Sequence, residues 1–415
     1  LMPGMTHWNH PGFFAYFAIS ASPPGVLGEF LSAALNQQAM LWRTSPAATE
    51  LEQVTLDWLR QLLGLPPGFH GVIYDTASVS SLHALAAARE RACPQSRSEG
   101  LAAQPQMTVY CSEDTHNSLD KAVILMGLGH RFLRKIPVDE SFRMRSDALE
   151  EAIRADRAEG RVPIAVVATV GTTSTSSIDP VPAIAAICRR EGLWLHVDAA
   201  YAGPAAIAEE YRWILEGVEQ ADSLVLNPHK WLFTPFDLSV LYLRDMGSLK
   251  AAFSLVPEYL RTSEDVLNLM DTGIQLGRRF RSLKLWMILR TYGSRGLADM
   301  IRQACRLAAE FAARVDADER FERMAPAPLS LVCFRARPAG VPEGELEALN
   351  MRLMEAVNAT GRVFLSHTKI RGRVALRLAI GHMRTERRHV ELAWTTLGEC
   401  LDSLLADGAT VPQAG

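Results

Sequence analysis

The 415-residue sequence predicts an α/β protein, with a large, mainly parallel sheet followed by a smaller α+β region. Two observations predict it. From about residue 51, short runs of Val, Ile and Leu alternate with stretches of helical periodicity, the pattern of βαβ units. Beyond about residue 297 the texture changes to long helices around a few short strands. A chain of this length exceeds the size at which a single core stops growing. Two unequal domains are therefore expected, a large one at 23–296 and a small one at 297–415, after a short N-terminal segment at 1–22.

The elements follow in order. Residues 50–63 carry apolar side chains at helical spacing and stop at Gly64-Leu65-Pro66-Pro67. Residues 80–91 are rich in Ala and Leu and read as helix. Residues 107–111, 164–170, 193–197, 224–226 and 240–243 are near-continuous apolar runs, as strands covered on both faces require. A helix at 182–191 connects the second and third of them. Residues 258–277 are polar with few structural signals, which marks a functional loop. The small region reads as helix 297–317, strand 329–335, helix 343–359, strands 363–366 and 374–380, and helix 386–405.

Composition removes several function classes. The net charge is −3 with no block of like charge, so nothing favours nucleic acid or an anionic membrane surface. The six cysteines are scattered singly, which argues against a disulfide framework and against a zinc site. A reducing, cytoplasmic compartment is expected. No apolar run is long enough to cross a bilayer, and residues 2–18 lack a signal-peptide pattern.

The residues that carry chemistry are His196-Val197-Asp198-Ala199-Ala200-Tyr201 and, further on, Asn227-Pro228-His229-Lys230-Trp231. An Asp ending a strand is commonly a turn residue, and a loop Lys is commonly solvated. Together they are more specific, because catalytic groups of α/β folds gather beyond the carboxyl ends of parallel strands. A lysine amine can bond covalently to the aldehyde of pyridoxal phosphate. A carboxylate held against the pyridine nitrogen keeps that nitrogen protonated. Lys230 and Asp198 suit these two tasks. Tyr74-Asp75-Thr76-Ala77-Ser78 opens a helix whose N–H groups and hydroxyls suit a phosphate, although a plain N-cap has the same look. His116 follows the strand at 107–111 and offers a flat ring for stacking. Gly171-Thr172-Thr173 ends another strand. No nucleotide-binding glycine motif is present.

These segments resemble the aromatic-L-amino-acid decarboxylase family. The resemblance runs along almost the entire chain, through Met2-Pro3-Gly4-Met5-Thr6-His7-Trp8, Ser45-Pro46-Ala47-Ala48-Thr49-Glu50, the Asp198 and Lys230 segments, Leu276-Gly277-Arg278-Arg279-Phe280-Arg281 and Ala375-Leu376-Arg377-Leu378. It implies the type I aminotransferase-like fold with a seven-stranded sheet, pyridoxal 5'-phosphate as cofactor, and decarboxylation of an L-amino acid. It assigns Lys230 to the cofactor aldehyde, Asp198 to the ring nitrogen and His116 to the ring face. Thr76, Ala77, Ser78 and Asn227 fall at the phosphate end, Thr173 and Ala200 close to the ring, and His229 beside Lys230. It implies a homodimer with a shared active site, in which Gln38 and Met40 reach the partner's site. Trp8, Tyr16, Phe17 and Ile19 match the substrate-lining segment, and full-length relatives carry a helical stretch in front.

Large apolar residues there, with Met40 and Trp42, suit an aromatic substrate; an acidic one would need an arginine, for which Arg43 is the nearby candidate. One departure stands out. Family decarboxylases have a loop tyrosine that supplies a proton after carbon dioxide leaves, and here Thr272 falls at the nearest matching place. A threonine hydroxyl is a far weaker acid than a phenol. The expected product is the amine. Oxidative decarboxylation–deamination to an aldehyde, or a catalytically impaired homologue that binds the cofactor, stays open. His229 or His116 would be alternative acids, since imidazole titrates near neutral pH.

Overall fold

The computed structural model describes residues 1–255 and 266–409. It divides into a larger unit, Ala21–Thr173 with Ser177–Ala298, and a smaller one, Leu1–Ser20 and Ser174–Ser176 with the residues from Asp299 on.

In the larger unit the apolar runs become strands β1 (His70–Tyr74), β2 (Met107–Ser112), β3 (Leu133–Ile136), β4 (Val162–Thr169), β5 (Trp194–Asp198), β6 (Ser223–Leu226) and β7 (Ser239–Leu243). They form one seven-stranded sheet in the order β1-β7-β6-β5-β4-β2-β3. Strands β3, β2, β4, β5 and β6 run parallel, while β7 is antiparallel to both β6 and β1. Every residue of β2, β5, β6 and β7 is buried, which is why these strands read as unbroken apolar runs. The two strands that the sequence reading did not resolve, β1 and β3, are the sheet's edges. Edge strands tolerate polar side chains and glycine, as in His70-Gly71 and Arg134-Lys135, and so lose the apolar signature.

Helices α1 (Pro23–Leu35), α2 (Pro46–Leu62), α3 (Ala77–Ala92), α4 (Ser96–Glu99), α5 (Ser118–Leu125), α6 (Ser146–Ala158), α7 (Val181–Glu191), α8 (Pro228–Trp231) and α9 (Gly247–Phe253) connect and cover the sheet. Helix α3 lies across β4, β5, β6 and β7 on its small face, through Ala84, Ala87 and Ala88. On α1, Gly25 and Gly28 are buried, and a Cβ at Gly28 would stand 2.6 Å from the Lys284 backbone. Close helix approach thus requires glycine there. Because β2, β4, β5 and β6 point the same way, the segments that follow them emerge along one edge of the sheet. Those segments contain His116, Thr173, Asp198 to Ala200, and Asn227 to Lys230.

Helix α10 (Ser282–Ala317) is longer than the expected 297–317 helix, and Gly293 at φ 63° breaks it. In the smaller unit, β8 (Phe321–Arg323), β9 (Leu331–Ala336), β10 (Ser366–Ile370) and β11 (Arg373–Ala379) form an antiparallel sheet in the order β10-β11-β9-β8. Helices α11 (Glu343–Ala359) and α12 (Arg387–Ala409) complete it, with Phe311, Phe321, Phe334 and Trp394 meeting in tilted or edge-on contacts. The strand expected at 363–366 lies instead at Ser366–Ile370. Arg371 and Gly372 both take left-handed backbone (φ 49° and 76°), so a two-residue turn sets a tight hairpin with β11. Phe364 makes only an isolated bridge with Phe13. No described helix is long and apolar enough to cross a membrane.

Candidate active site

Asp198 is the last residue of β5 and stands between Thr169 of β4 and Val225 of β6. Only 6% exposed, it accepts the Ala200 N–H on Oδ1 at 3.0 Å, which aims the carboxylate along the turn that follows the strand. The Asn227 N–H binds the Ala200 carbonyl at 3.0 Å, and the Lys230 N–H binds the Asn227 carbonyl at 2.9 Å. Hydrogen bonds of the main chain thus carry the geometry from Asp198 to Lys230. Burial lowers the Lys230 amine below the ordinary lysine range, and the Asp198 carboxylate opposes that shift. A lysine so placed has a larger share of neutral, nucleophilic amine.

His116 joins this pair. Its Nδ1 accepts the Ser118 N–H at 3.1 Å and lies 2.9 Å from Ser118 Oγ, which orients the ring at the start of α5. With Nδ1 accepting a backbone proton, the neutral ring carries its own proton on Nε2. Burial lowers the His116 pKa, Lys230 lowers it further, and Asp198 opposes both. Lys230, Asp198 and His116 therefore feel one another's charge, as one site requires.

His229 is nearly fully buried. Its Nδ1 accepts the Leu238 N–H at 3.0 Å, and its ring lies 4.9 Å from that of Phe236. Burial, and secondarily Lys230, push it down to about 3. Burial favours the neutral imidazole, because a charged ring cannot recover its hydration inside the fold.

Thr76 caps α3 without a side-chain bond to the helix, while its own N–H goes to Asp75 Oδ1 at 2.6 Å. The first-turn N–H groups of Ala77 and Ser78 have no carbonyl within the helix to bind, and they point out of its positive end. Ser78 and Thr173 are exposed, and Ala200 is buried. Gly171 (φ 88°) lets the turn after β4 pass Ala202, whose Cβ a side chain there would meet at 2.5 Å. Asn227 supplies a further observation: its side-chain carbonyl oxygen is buried without a hydrogen-bond partner. Rotating the amide presents N–H₂ donors at that place, which is what an anionic group needs. Helix N–H groups and an amide that can donate to a phosphate, a carboxylate that can accept a ring N–H, and an amine of lowered pKa fit pyridoxal phosphate.

Thr272 is fully buried in a 3₁₀ turn (Leu269–Thr272), its hydroxyl donates to the Leu269 carbonyl at 2.7 Å, and its own carbonyl accepts the Tyr74 hydroxyl. The turn directs this hydroxyl into the fold. Gln38 is exposed and accepts the Arg278 N–H at 2.6 Å, and the Met40 carbonyl accepts the Met270 N–H at 3.1 Å. In the smaller unit, Trp8 stacks on Tyr16 with ring centres 5.4 Å apart. There the Arg377 guanidinium lies 5.2 Å over the buried Phe17 ring, and Ile19 is half-buried.

Sequence reasoning missed the buried Glu52–Arg278 pair that holds residues 38–40 against β1. The signal was present in α2: Glu52 falls on the same helical stripe as Ala48, Thr55, Leu56 and Leu59, where a charge needs a partner.

Known proteins share this chain's sequence and fold. The sequence profile of the pyridoxal-dependent decarboxylase conserved domain matches residues 1–337. The chain is 44% identical to phenylacetaldehyde synthase of Arabidopsis thaliana, over 98% of this chain and 84% of that protein. It is 43% identical to tryptophan decarboxylase 2 of Oryza sativa subsp. japonica, over 96% of this chain and 82% of that protein. A crystal structure of Oryza sativa TDC with PLP and tryptamine superposes with a TM-score of 0.94 at 41% identity, covering 97% of this chain and 86% of that one. The chain thus belongs to the pyridoxal-dependent decarboxylase family, and it is an enzyme that uses pyridoxal phosphate to remove the carboxylate of an L-amino acid.

Proposed function

We propose that the substrate is an aromatic L-amino acid and that the main product is its amine. The observation that supports this reading is the placement of His116, Asp198 and Lys230 at the carboxyl ends of the parallel strands β2, β5 and β6. Relatives named for tryptophan and tyrosine decarboxylation support the aromatic class. When bound, the cofactor supplies an electron sink for the bond to the leaving carboxylate. The chain does the rest. Lys230 presents a partly neutral amine to the cofactor aldehyde and to the incoming substrate. Asp198 holds the proton on the ring nitrogen. The helix end at Ala77 and Ser78, with Thr76 and Asn227, anchors the phosphate, and Thr173 and Ala200 flank the ring. The His116 Nε2–H is a proton-bearing atom of this cluster, whereas Thr272 has its hydroxyl engaged with Leu269.

A second reading is favoured by Thr272. A threonine in place of the family's loop phenol would slow the proton's return after carbon dioxide leaves, which lets oxygen compete and turns the product to an aldehyde. The 44% identity to phenylacetaldehyde synthase points the same way. The deciding experiment incubates the purified protein with tryptophan, tyrosine and phenylalanine and measures amine, aldehyde and hydrogen peroxide. Amine without peroxide supports the first reading. Aldehyde with stoichiometric peroxide supports the second.

The enzyme works as a homodimer in this proposal. Helix α1 buries Gly25 and Gly28 on one side and exposes Val26, Leu27, Phe30, Leu31 and Leu35. An apolar helix face of that extent is what a second copy covers. Gln38 and Met40 follow directly in the chain and are proposed to reach the partner's substrate. Trp8, Tyr16, Phe17 and Ile19 are proposed to line the pocket. The six cysteines, which form no disulfide among the described residues, suit a reducing cytoplasm.

A further inference from the structure

Beneath Asp198 lies a set of buried polar groups to which neither the motif nor the proposed mechanism gives a task. His196 precedes Asp198 by two positions in β5, so both side chains leave the same face of the strand. The His196 ring is fully buried. Its Nδ1 lies 2.8 Å from Ser223 Oγ of β6 and its Nε2 3.0 Å from Ser81 Oγ of α3. Ser223 Oγ also accepts the Trp194 Nε1–H at 2.8 Å. Ser81, Ser223 and Trp194 are each 2% exposed or less.

A histidine in this place is unexpected for packing alone. An apolar side chain would fill the same volume without requiring two hydrogen bonds. The neutral ring has one N–H and one lone pair, so in either tautomer it meets both serines. Burial pushes its pKa down to about 4, with Asp198 partly opposing. The ring therefore stays neutral near pH 7 and does not compete with the cofactor for the charge of Asp198. The connections are also selective. Helix α3 begins at the phosphate turn, and Ser81 stands one helical turn in from it. Strand β5 ends at Asp198. The imidazole thus bridges the element that carries the phosphate anchor to the element that carries the ring-nitrogen carboxylate. A second link, Ser80 Oγ to Ser239 Oγ at 2.9 Å, holds the same turn of α3 to β7.

We infer that His196 is a positioning residue for the cofactor: through Ser81 and Ser223 it sets the depth of α3 against β5 and β6, and so the separation of the two ends of the cofactor cradle. The inference rests on the reading that this cradle takes pyridoxal phosphate. A rigid cofactor spans a fixed length, and a cradle whose ends drift loses binding at one of them. The substrate side of the site is not part of this link, so substrate KM should hold while cofactor affinity falls.

The test titrates the cofactor-free protein with pyridoxal phosphate and follows tryptophan quenching and the visible band. Ser81→Ala and His196→Leu are each expected to weaken cofactor binding roughly tenfold, about one to two hydrogen bonds' worth. His196→Gln, which keeps one donor and one acceptor, should stay within about threefold of the native value. Thermal melting of the cofactor-free proteins separates this from a structural role. Ser81→Ala removes a single hydroxyl and should melt within about 3 °C of native. The inference is overturned if the cofactor dissociation constant is unchanged in both Ser81→Ala and His196→Leu while melting falls. Native protein that takes up no pyridoxal phosphate overturns the underlying reading instead, and is told apart because the native control itself fails.

Discussion

Arg278 grips Glu52 with both ends of its guanidinium group, Nη2 lying 2.8 Å from Oε1 and Nη1 3.3 Å from Oε2, where both residues are almost wholly buried. The same guanidinium donates to the Ala39 and Ile73 carbonyls, while Glu52 accepts the Ile73 N–H at 2.9 Å. One ion pair therefore ties α2, the end of β1 and residues 38–40. Removing one partner leaves the other charge buried and alone. Arg278→Met should reduce stability by about 3–5 kcal/mol, read from urea unfolding. Arg278→Met with Glu52→Leu should recover most of that loss. A double variant as unstable as the single one would show that shape, rather than charge, decides this site.

Lys230→Ala should remove the visible absorbance of the purified protein and leave the fold intact, since it removes an amine whose charge burial disfavours and puts no charge in its place. Asp198→Asn should keep much of the cofactor and lower kcat by about a hundredfold or more, because the ring nitrogen loses the charge that holds its proton. Spectra and turnover measured on the same preparations check both. Near-native kcat in Asp198→Asn removes Asp198 from this role.

Four buried histidines set an acid limit. Burial holds His83, His196 and His382 at about 4 and His229 at about 3, all below the unfolded value. Below about pH 6.5 the unfolded chain binds protons that the folded chain refuses, so stability falls as pH drops toward these values. Each buried histidine contributes up to about 1.4 kcal/mol per pH unit in that window. Asp179, raised by burial to about 7, opposes them, because its folded form takes up a proton first as pH falls. Four losses outweigh one gain. Urea midpoints should fall between about pH 6.5 and about pH 4.5, and constant midpoints across that range would contradict the assignment.

Thr272→Tyr tests the origin of the product. The phenol is too large for the buried turn that Thr272 occupies, so it must leave that turn. If it then reaches the reacting carbon, any aldehyde and peroxide made by the native enzyme should decline in favour of amine. Quantifying the three products before and after the substitution is the measurement. An unchanged ratio would assign the proton to another group, with His116→Asn as the next variant.

The shared site can be tested by mixing. Lys230→Ala and a Met40→Asp variant should each be inactive, and their mixture should regain part of the activity, since hybrid dimers contain one intact site. Light scattering should report a dimer, and Phe30→Asp on the exposed face of α1 should weaken it. A fully active monomer would remove Gln38 and Met40 from the partner's site.

The sequence by itself determined the covered strands and the family, and it singled out Asp198 and Lys230. Covered strands must be apolar at nearly every position, so β2, β4, β5, β6 and β7 were legible as runs. Asp198 and Lys230 were legible because their chemistry restricts the residue type at the end of a strand. Edge strands β1 and β3, and the register of β10, were hidden, since water on one side or a tight turn sets them instead of an apolar pattern. Only the tertiary structure decided what lies around the named residues. It turned the Thr272 hydroxyl toward the Leu269 carbonyl and buried the His229 ring. It also joined Glu52 to Arg278, and His196 to Ser81 and Ser223. Each of these depends on desolvation and on partners far apart in sequence, and one-dimensional spacing carries no record of either.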